Sequence, residues 1–306
     1  MKTIAHLNPE TKKEQSILEH LTQTAQLSSK FAEAFNSADA GYLCGILHDI
    51  GKYSHKFQLR IRGSNERVDH STAGAQVALQ KYNNAPASFC IAGHHGGLPD
   101  GGNRMTATPD DSTFLGKMER KVGEDIEDFS AYETEIEASE ADIPAHFRSD
   151  IQSQFFFTRM LYSCLVDADY LDTEEFMSEK SKLRGGYETL QQLALRLDKH
   201  ISKWWDPKEE INQKRCEILQ ALKSAGDNKK GVFSLTVPTG GGKTVSSMAF
   251  ALQHALKHEM NRIIYVIPYI SIIEQTQEVF KKIFGTDNVV AHYSNIDYKV
   301  NEDGSI

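Results

Sequence analysis

A mainly α fold is predicted for this chain, with an all-helical first domain followed by an incomplete α/β lobe. Apolar or small residues recur at helical spacing through the first half, as in Ile17, Leu21, Thr24, Leu27, Phe31 and Phe35. Near residue 232 the pattern changes to strand–loop–helix, with the continuous run Val232–Val237, a glycine-rich turn and a further apolar helix. At 306 residues and 40% hydrophobic content, the chain is long enough for two cores at roughly 100–200 residues per domain. The expected division is 1–205 for the helical domain, 206–230 for a helical linker and 231–306 for the α/β part.

The first helix is expected from about Pro9 to Asn36, with His20 on its apolar stripe. The second carries Leu43, Ile46, Leu47 and Ile50 and ends in Leu47-His48-Asp49-Ile50-Gly51-Lys52, with Gly51 where a left-handed cap is commonly needed. The carbonyl end of that helix favours cations beside His48 and Asp49. Tyr53–Arg62 reads as a short helix and Gly63-Ser64-Asn65 as a turn. Asp69 or Ser71 caps a helix running to about Tyr82, which places His70 near its start. A helix near Ala87–Gly93 delivers His94 and His95 into Gly96-Gly97, where glycine permits a sharp turn. From Leu98 to Ala145, weak periodicity and many acidic residues predict an exposed, partly helical insertion, a solvated face or a lid. The helix Gln152–Leu171 aligns Leu161 and Leu165 with Asp169. Asp167 points roughly opposite and remains the alternative, since helix phase near an end shifts by a residue or two.

The net charge of -8 is unevenly spread, because residues 98–150 hold 14 acidic and 5 basic side chains and the rest 28 against 29. Overall charge therefore decides nothing about a polyanionic substrate. Cys44, Cys90, Cys164 and Cys216 are widely spaced singletons, which excludes a zinc ribbon or a disulfide framework and predicts reduced thiols. The longest apolar stretches, around Phe155–Val166 and Ile263–Ile273, are too short and too often interrupted to span a bilayer, so a cytoplasmic protein without a membrane partner is expected.

A lone histidine on an apolar stripe is usually a satisfied core residue, and a lone His-Asp pair is usually a helix cap. Here His20, His48, Asp49, His70, His94, His95 and Asp169 keep one another company on separate helices of one domain. Five imidazoles and two carboxylates can fill two metal positions, with the two oxygens of Asp49 as the bridge. The mixed nitrogen and oxygen set suits Mn, Fe, Co or Ni better than Mg or Ca. Two such ions, roughly 3.5–4 Å apart, would supply a hydroxide and stabilise the leaving oxygen of an attack on phosphorus. Lys52 could meet the phosphate drawn in.

With these residues in this order the chain resembles the HD phosphohydrolases. A narrower resemblance follows from His20-Leu21, Leu47-His48-Asp49-Ile50-Gly51-Lys52, Asp69-His70-Ser71, His94-His95-Gly96 and Ala168-Asp169-Tyr170-Leu171, followed by a helicase start. It is to the CRISPR-associated HD nuclease-helicases of type I systems, subtype I-C, and it runs through nearly the whole chain. The resemblance implies that His20, His48, Asp49 and Asp169 hold one metal and Asp49, His70, His94 and His95 the other. It implies catalytic roles for His48 and Asp49, with Lys52 and Ser71 as substrate-side helpers. The implied substrate is single-stranded DNA, reached when a type I surveillance complex with its guide RNA displaces a strand.

In the second part, Trp204-Trp205-Asp206-Pro207 marks a boundary; tandem tryptophans either pack at a junction or stack on single-stranded bases. Pro238–Thr244 then reads as a nucleotide loop. Gly240, Gly241 and Gly242 let backbone N–H groups wrap the phosphates of ATP, Lys243 reaches the outer phosphates and Thr244 can ligate Mg. Val237 stands in place of the usual first glycine, which matches the helicase version of the motif. Arg262–Ile267 and Val289–Tyr293 are expected as strands around a helix at Ser271–Phe284. Up to Ile306 there is no acidic Walker B strand, second lobe or arginine finger, so the expectation is part of a longer protein without ATPase activity of its own. Two competing readings are an HD phosphohydrolase acting on small nucleotides, against which the fused loop counts, and a silent docking module that takes up no metal.

Overall fold

In the computed structural model, which describes residues 3–178 and 186–293, the chain opens with a β-hairpin where a helix from Pro9 was expected. Strand β1 (Ile4–Leu7) pairs antiparallel with β2 (Glu14–Ser16), with Ile4 opposite Ser16 and Leu7 opposite Glu14. The Asn8 side chain closes the turn by accepting from the N–H groups of Glu10 and Thr11. Helix α1 (Ile17–Ala32) starts only at Ser16, whose hydroxyl accepts from the Glu19 N–H at 3.2 Å. Of the expected stripe, Ile17, Leu21 and Thr24 are buried, Leu27 and Phe31 partly so, and Phe35 lies past the helix end; the N-terminal limit was set by a turn and a cap.

Helix α2 (Ala38–Leu47) lies against α1 and is buried nearly all round. Glycines make this approach possible: a Cβ on Gly45 would stand 2.6 Å from the Ala25 nitrogen, and one on Gly41 2.8 Å from the Ser28 carbonyl carbon. After a 3-10 turn at Ile50–Tyr53 come α3 (His55–Arg60), α4 (Ser71–Gln80) and α5 (Ala85–Gly93). Asp69 caps α4 by accepting from the N–H groups of Ser71 and Thr72, and Asn84 caps α5 through Ala87. Gly51 is not the left-handed cap the sequence suggested, since it is absent from the positive-φ glycines. Its role is close approach: a Cβ there would stand 2.7 Å from the Cα of His70.

The acidic segment is less exposed than expected. It contains α6 (Phe114–Glu119), and Phe114, Ile126, Phe129, Tyr132 and Ile136 are buried in the main core. Tyr53 donates to Glu135 at 2.6 Å, and Gln76 donates to the carbonyls of Lys117 and Arg120. Acidic side chains pointing to water hid the apolar anchors between them.

Helix α7 (Ile151–Met177), capped by Asp150 on the Ser153 N–H, runs past the expected end at Leu171. Phe157, Leu161, Leu165, Ala168 and Asp172 form its buried stripe. The four cysteines are free thiols. No helix among the described residues is long and apolar enough to cross a membrane.

The chain divides into two units, Met1–Lys182 and Leu183–Ile306. The second contains α8 (Leu190–Ile201), α9 (Glu210–Ala225), α10 (Lys243–Lys257) and α11 (Ile270–Phe284). Leu197 and Ile201 of α8 share a core with Leu219, Met248, Leu252 and Phe280, so α8, placed before residue 205 with the helical domain in the sequence reading, packs in the second unit. Trp204 packs at this core's edge, while Trp205 is 40% exposed. The runs expected as strands at 232–237, 262–267 and 289–293 are not paired into a sheet; β1 and β2 are the only strands among the described residues. Val232, Ile264, Val266 and Val290 stand exposed. Apolar composition reports a preference for burial and does not by itself provide a hydrogen-bonding neighbour.

Candidate metal centre

The end of α2 sets the centre. The His48 N–H still bonds the Cys44 carbonyl, whereas Asp49, at φ -120 and ψ 20, leaves the helix and turns its carboxylate inward. His48 Nδ1 lies 2.8 Å from the Gly45 carbonyl, and His94, just past α5, repeats this with Ile91 at 2.7 Å. A carbonyl can only accept, so each Nδ1 carries a proton and Nε2 is the nitrogen left to face a cation. His70 Nδ1 meets the Val68 carbonyl at 3.3 Å in the same sense.

Around Asp49 the lone pairs form two groups. Its Oδ1 is 3.4 Å from His70 Nε2, 3.3 Å from His94 Nε2 and 4.0 Å from His95 Nε2. Its Oδ2 is 3.4 Å from both His20 Nε2 and His48 Nε2. Asp169 Oδ1 completes the second group, 3.4 Å from His20 Nε2 and 3.5 Å from His48 Nε2. Each group can hold an ion on four converging atoms: Asp49, His70, His94 and His95 on one side, His20, His48, Asp49 and Asp169 on the other. Asp167 is exposed on the opposite face of α7.

These atoms are short of partners. His20 Nε2, His48 Nε2, His94 Nε2 and Asp49 Oδ1 are buried and make no hydrogen bond. Buried unpaired acceptors are costly, and divalent cations would satisfy them together. His70 Nε2 and His95 Nε2 stand 2.6 Å apart, a spacing that needs a proton or a cation between two lone pairs.

Electrostatics follow the same geometry. Burial raises the Asp49 carboxyl, but Lys52, His48 and His70 outweigh it and hold it well below the usual range. Burial disfavours charge on His48, yet Asp49 and Asp169 push its pKa up to about 10. His95 is pushed down to about 3 by burial and then by His94, so its ring is neutral at neutral pH.

Lys52 and Ser71, expected as substrate-side helpers, are both engaged by other side chains. Lys52 is only 5% exposed, with Nζ 2.6 Å from Asp49 Oδ2. The Ser71 hydroxyl donates to Asp69 at 3.2 Å and accepts from Lys117 at 3.0 Å. The sequence reading missed Asp172, 2.5 Å from His20 Nδ1, and also Gln15, which donates to the same carboxylate, and His6, which meets the Gln15 side chain. Asp172 continues the stripe that placed Asp169; His6 has no local signal, since only the hairpin brings it near.

In the second unit, Gly240 and Gly242 have φ of +84 and +81, and Gly242 is the N-cap of α10, whose first residues are Lys243 and Thr244. Positive φ at these glycines turns backbone into a helix N-terminus, the geometry that receives phosphate. Arg215 donates to the Gly240 carbonyl at 2.8 Å and steadies the loop from α9.

Comparison with known families gives two matches. Residues 17–131 are similar to the HD domain, and residues 208–304 to the type III restriction enzyme, res subunit. No curated protein matches. The first match contains the five histidines of the cluster and Asp49, and supports a metal-dependent phosphohydrolase that binds divalent cations. The second contains Gly240–Thr244 and supports a helicase-type ATPase region following it.

Proposed function

We propose that the chain is a metal-dependent nuclease that hydrolyses phosphodiester bonds of single-stranded DNA in type I CRISPR interference, fused to part of an ATP-dependent DNA helicase. One observation carries the hydrolytic reading: Asp49 lies between two sets of inward-facing imidazole nitrogens, one set for each carboxylate oxygen. The order of motifs and the helicase-type match that follows support DNA over a free nucleotide.

In this reading His20, His48, Asp49 and Asp169 hold one cation and Asp49, His70, His94 and His95 the other. When bound, such a pair activates water and neutralises charge developing on phosphoryl oxygens. The protein's own part is orientation. Carbonyls of Gly45 and Ile91 lock the His48 and His94 rings, and burial keeps competing water from Asp49. His95, with its side chain 51% exposed, opens the group of Asp49, His70, His94 and His95 to the surface and marks the side from which a phosphodiester enters.

The test loads the purified chain with Mn, Fe, Ni or Mg and offers single-stranded DNA, duplex DNA and free nucleotides in parallel. His48→Ala and Asp49→Ala should lower single-strand cleavage at least about 10³-fold while retaining the helical circular-dichroism spectrum. Cleavage surviving both changes would sink the assignment, turnover of free nucleotides alone would shift it to a small-molecule phosphohydrolase, and failure to take up metal would favour a docking module.

A further inference from the structure

His48 and His94 are oriented by their own helices, through carbonyls three residues earlier. His20 is not. It lies in the first turn of α1, and its Nδ1 meets Asp172 Oδ2, a carboxylate from α7 that is 2% exposed. Asp172 follows Asp169 by three residues on one helix face, so α7 presents one carboxylate to each nitrogen of the His20 ring.

Asp172 is itself held. Gln15 of β2 donates its Nε2 to Asp172 Oδ2 at 3.0 Å, and its Oε1 lies 2.8 Å from His6 Nδ1 on β1. His6 Nε2 is 3.3 Å from Lys52 Nζ, which pairs with Asp49. The directions are mutually consistent. Lys52 has only protons to give, so His6 Nε2 accepts and His6 Nδ1–H donates to the Gln15 carbonyl oxygen. The Gln15 amide then donates to Asp172, which leaves His20 Nδ1–H as the second donor. His6, His20 and Asp172 could in principle grip a third ion, but every nitrogen and the Oδ2 atom in that group is used in this chain of bonds or turned to Asp49.

We infer that Asp172 is a positioning residue of the centre: it fixes His20 as the Nδ1–H tautomer with Nε2 turned toward Asp49 and Asp169, and Gln15 and His6 of the N-terminal hairpin hold Asp172 in register. The inference rests on the reading of this cluster as a metal centre, and it ties residues outside the HD match, His6, Gln15 and Asp172, to one of the two cation positions. Outer carboxylates of this kind typically change metal affinity about 10–100-fold.

The experiment titrates the full chain and its Asp172→Asn and Asp172→Ala variants with Co²⁺ by calorimetry and visible absorption. It also records long-range ¹⁵N–¹H histidine spectra of the cation-free proteins, with His20 assigned by substitution. The wild type is expected to take two equivalents and show His20 as Nδ1–H. Both variants should weaken one equivalent about 10–100-fold, leave the other unchanged and move His20 toward Nε2–H. Two equivalents bound as in the wild type, with the tautomer unmoved, overturns the inference and leaves the metal centre standing. If the wild type binds no cobalt the metal reading fails, and the tautomer spectra still decide whether Asp172 sets His20. Should Asp172→Ala not fold, Asp172→Asn, nearly equal in volume, carries both readouts.

Discussion

Gly51→Ala is the sharpest test of the geometry, because it adds one methyl group beside the centre without replacing a candidate ligand. The new Cβ would stand 2.7 Å from His70 Cα and 2.8 Å from its carbonyl carbon. To bring Cα to an ordinary contact of 3.4 Å, the His70 backbone must recede by at least about 0.7 Å, and its carbonyl oxygen, nearer still, asks for more; both sides are backbone and neither can rotate away. His70 Nε2 now lies 3.4 Å from Asp49 Oδ1 and 2.6 Å from His95 Nε2, and pre-organised sites tolerate only about 0.5 Å. The group of Asp49, His70, His94 and His95 should lose cation affinity about 10–100-fold, and cleavage should fall about 10²-fold. The overpacking costs about 1–3 kcal/mol, less than the roughly 5–15 kcal/mol that holds a domain folded. Cobalt calorimetry of the variant should show one normal and one weakened equivalent with a melting transition still cooperative. Two normal equivalents and wild-type cleavage would refute the placement of His70.

Cation uptake should release a proton. With its pKa pushed up to about 10 by Asp49 and Asp169, His48 is protonated at neutral pH, and an ion on Nε2 must displace that proton. Affinity should therefore rise about tenfold per pH unit between roughly pH 7 and 9, read as a buffer-dependent enthalpy in calorimetry; an enthalpy independent of the buffer contradicts it. Phe157→Ala should cost about 3–5 kcal/mol, because Phe157 is fully buried between Phe35 and Phe147 at ring distances of 6.0 and 4.9 Å. Denaturant unfolding measures this, and a loss under about 1 kcal/mol would mean that the α7 stripe is not the core.

What the sequence made legible was local. His48-Asp49 after an apolar helix, Asp69 before α4, Asp150 before α7 and the glycine-rich loop before α10 are each decided within one turn of backbone. The phase of α7 also selects Asp169 over Asp167, because a 3.6-residue period leaves little freedom across the eight residues from Leu161. What stayed hidden depends on partners distant in the chain. Glu14–Ser16 forms a strand only because Ile4–Leu7 is there to pair with it, and the helical spacing of Ile17 and Leu21 gave no reason to stop at Ser16. In the acidic segment the same density of charge that suggests solvation alternates with Phe129, Tyr132 and Ile136, whose burial is evident only against the core they enter.

Lys52 offers two roles that its position lets an experiment separate. The sequence set its ammonium just past Gly51, free to meet a phosphate. The structure continues α2 as a 3-10 turn, in which residues three apart nearly eclipse, so Lys52 falls onto Asp49 with Nζ 2.6 Å from Oδ2. A lysine so buried is paired with the carboxylate that faces it, and here it competes with any cation for the same oxygen. The two roles part in Lys52→Met, which keeps the stem and removes the charge. If Lys52 is the counter-charge of Asp49, cobalt binding to the group of His20, His48, Asp49 and Asp169 tightens by about tenfold or more, since a positive charge within 3 Å of the ligand atom is gone. If Lys52 instead serves the substrate, cobalt affinity stays put and KM for single-stranded DNA rises with kcat little changed. The burial of Nζ and its second contact with His6 favour the first outcome, and an unchanged cobalt isotherm would refute it.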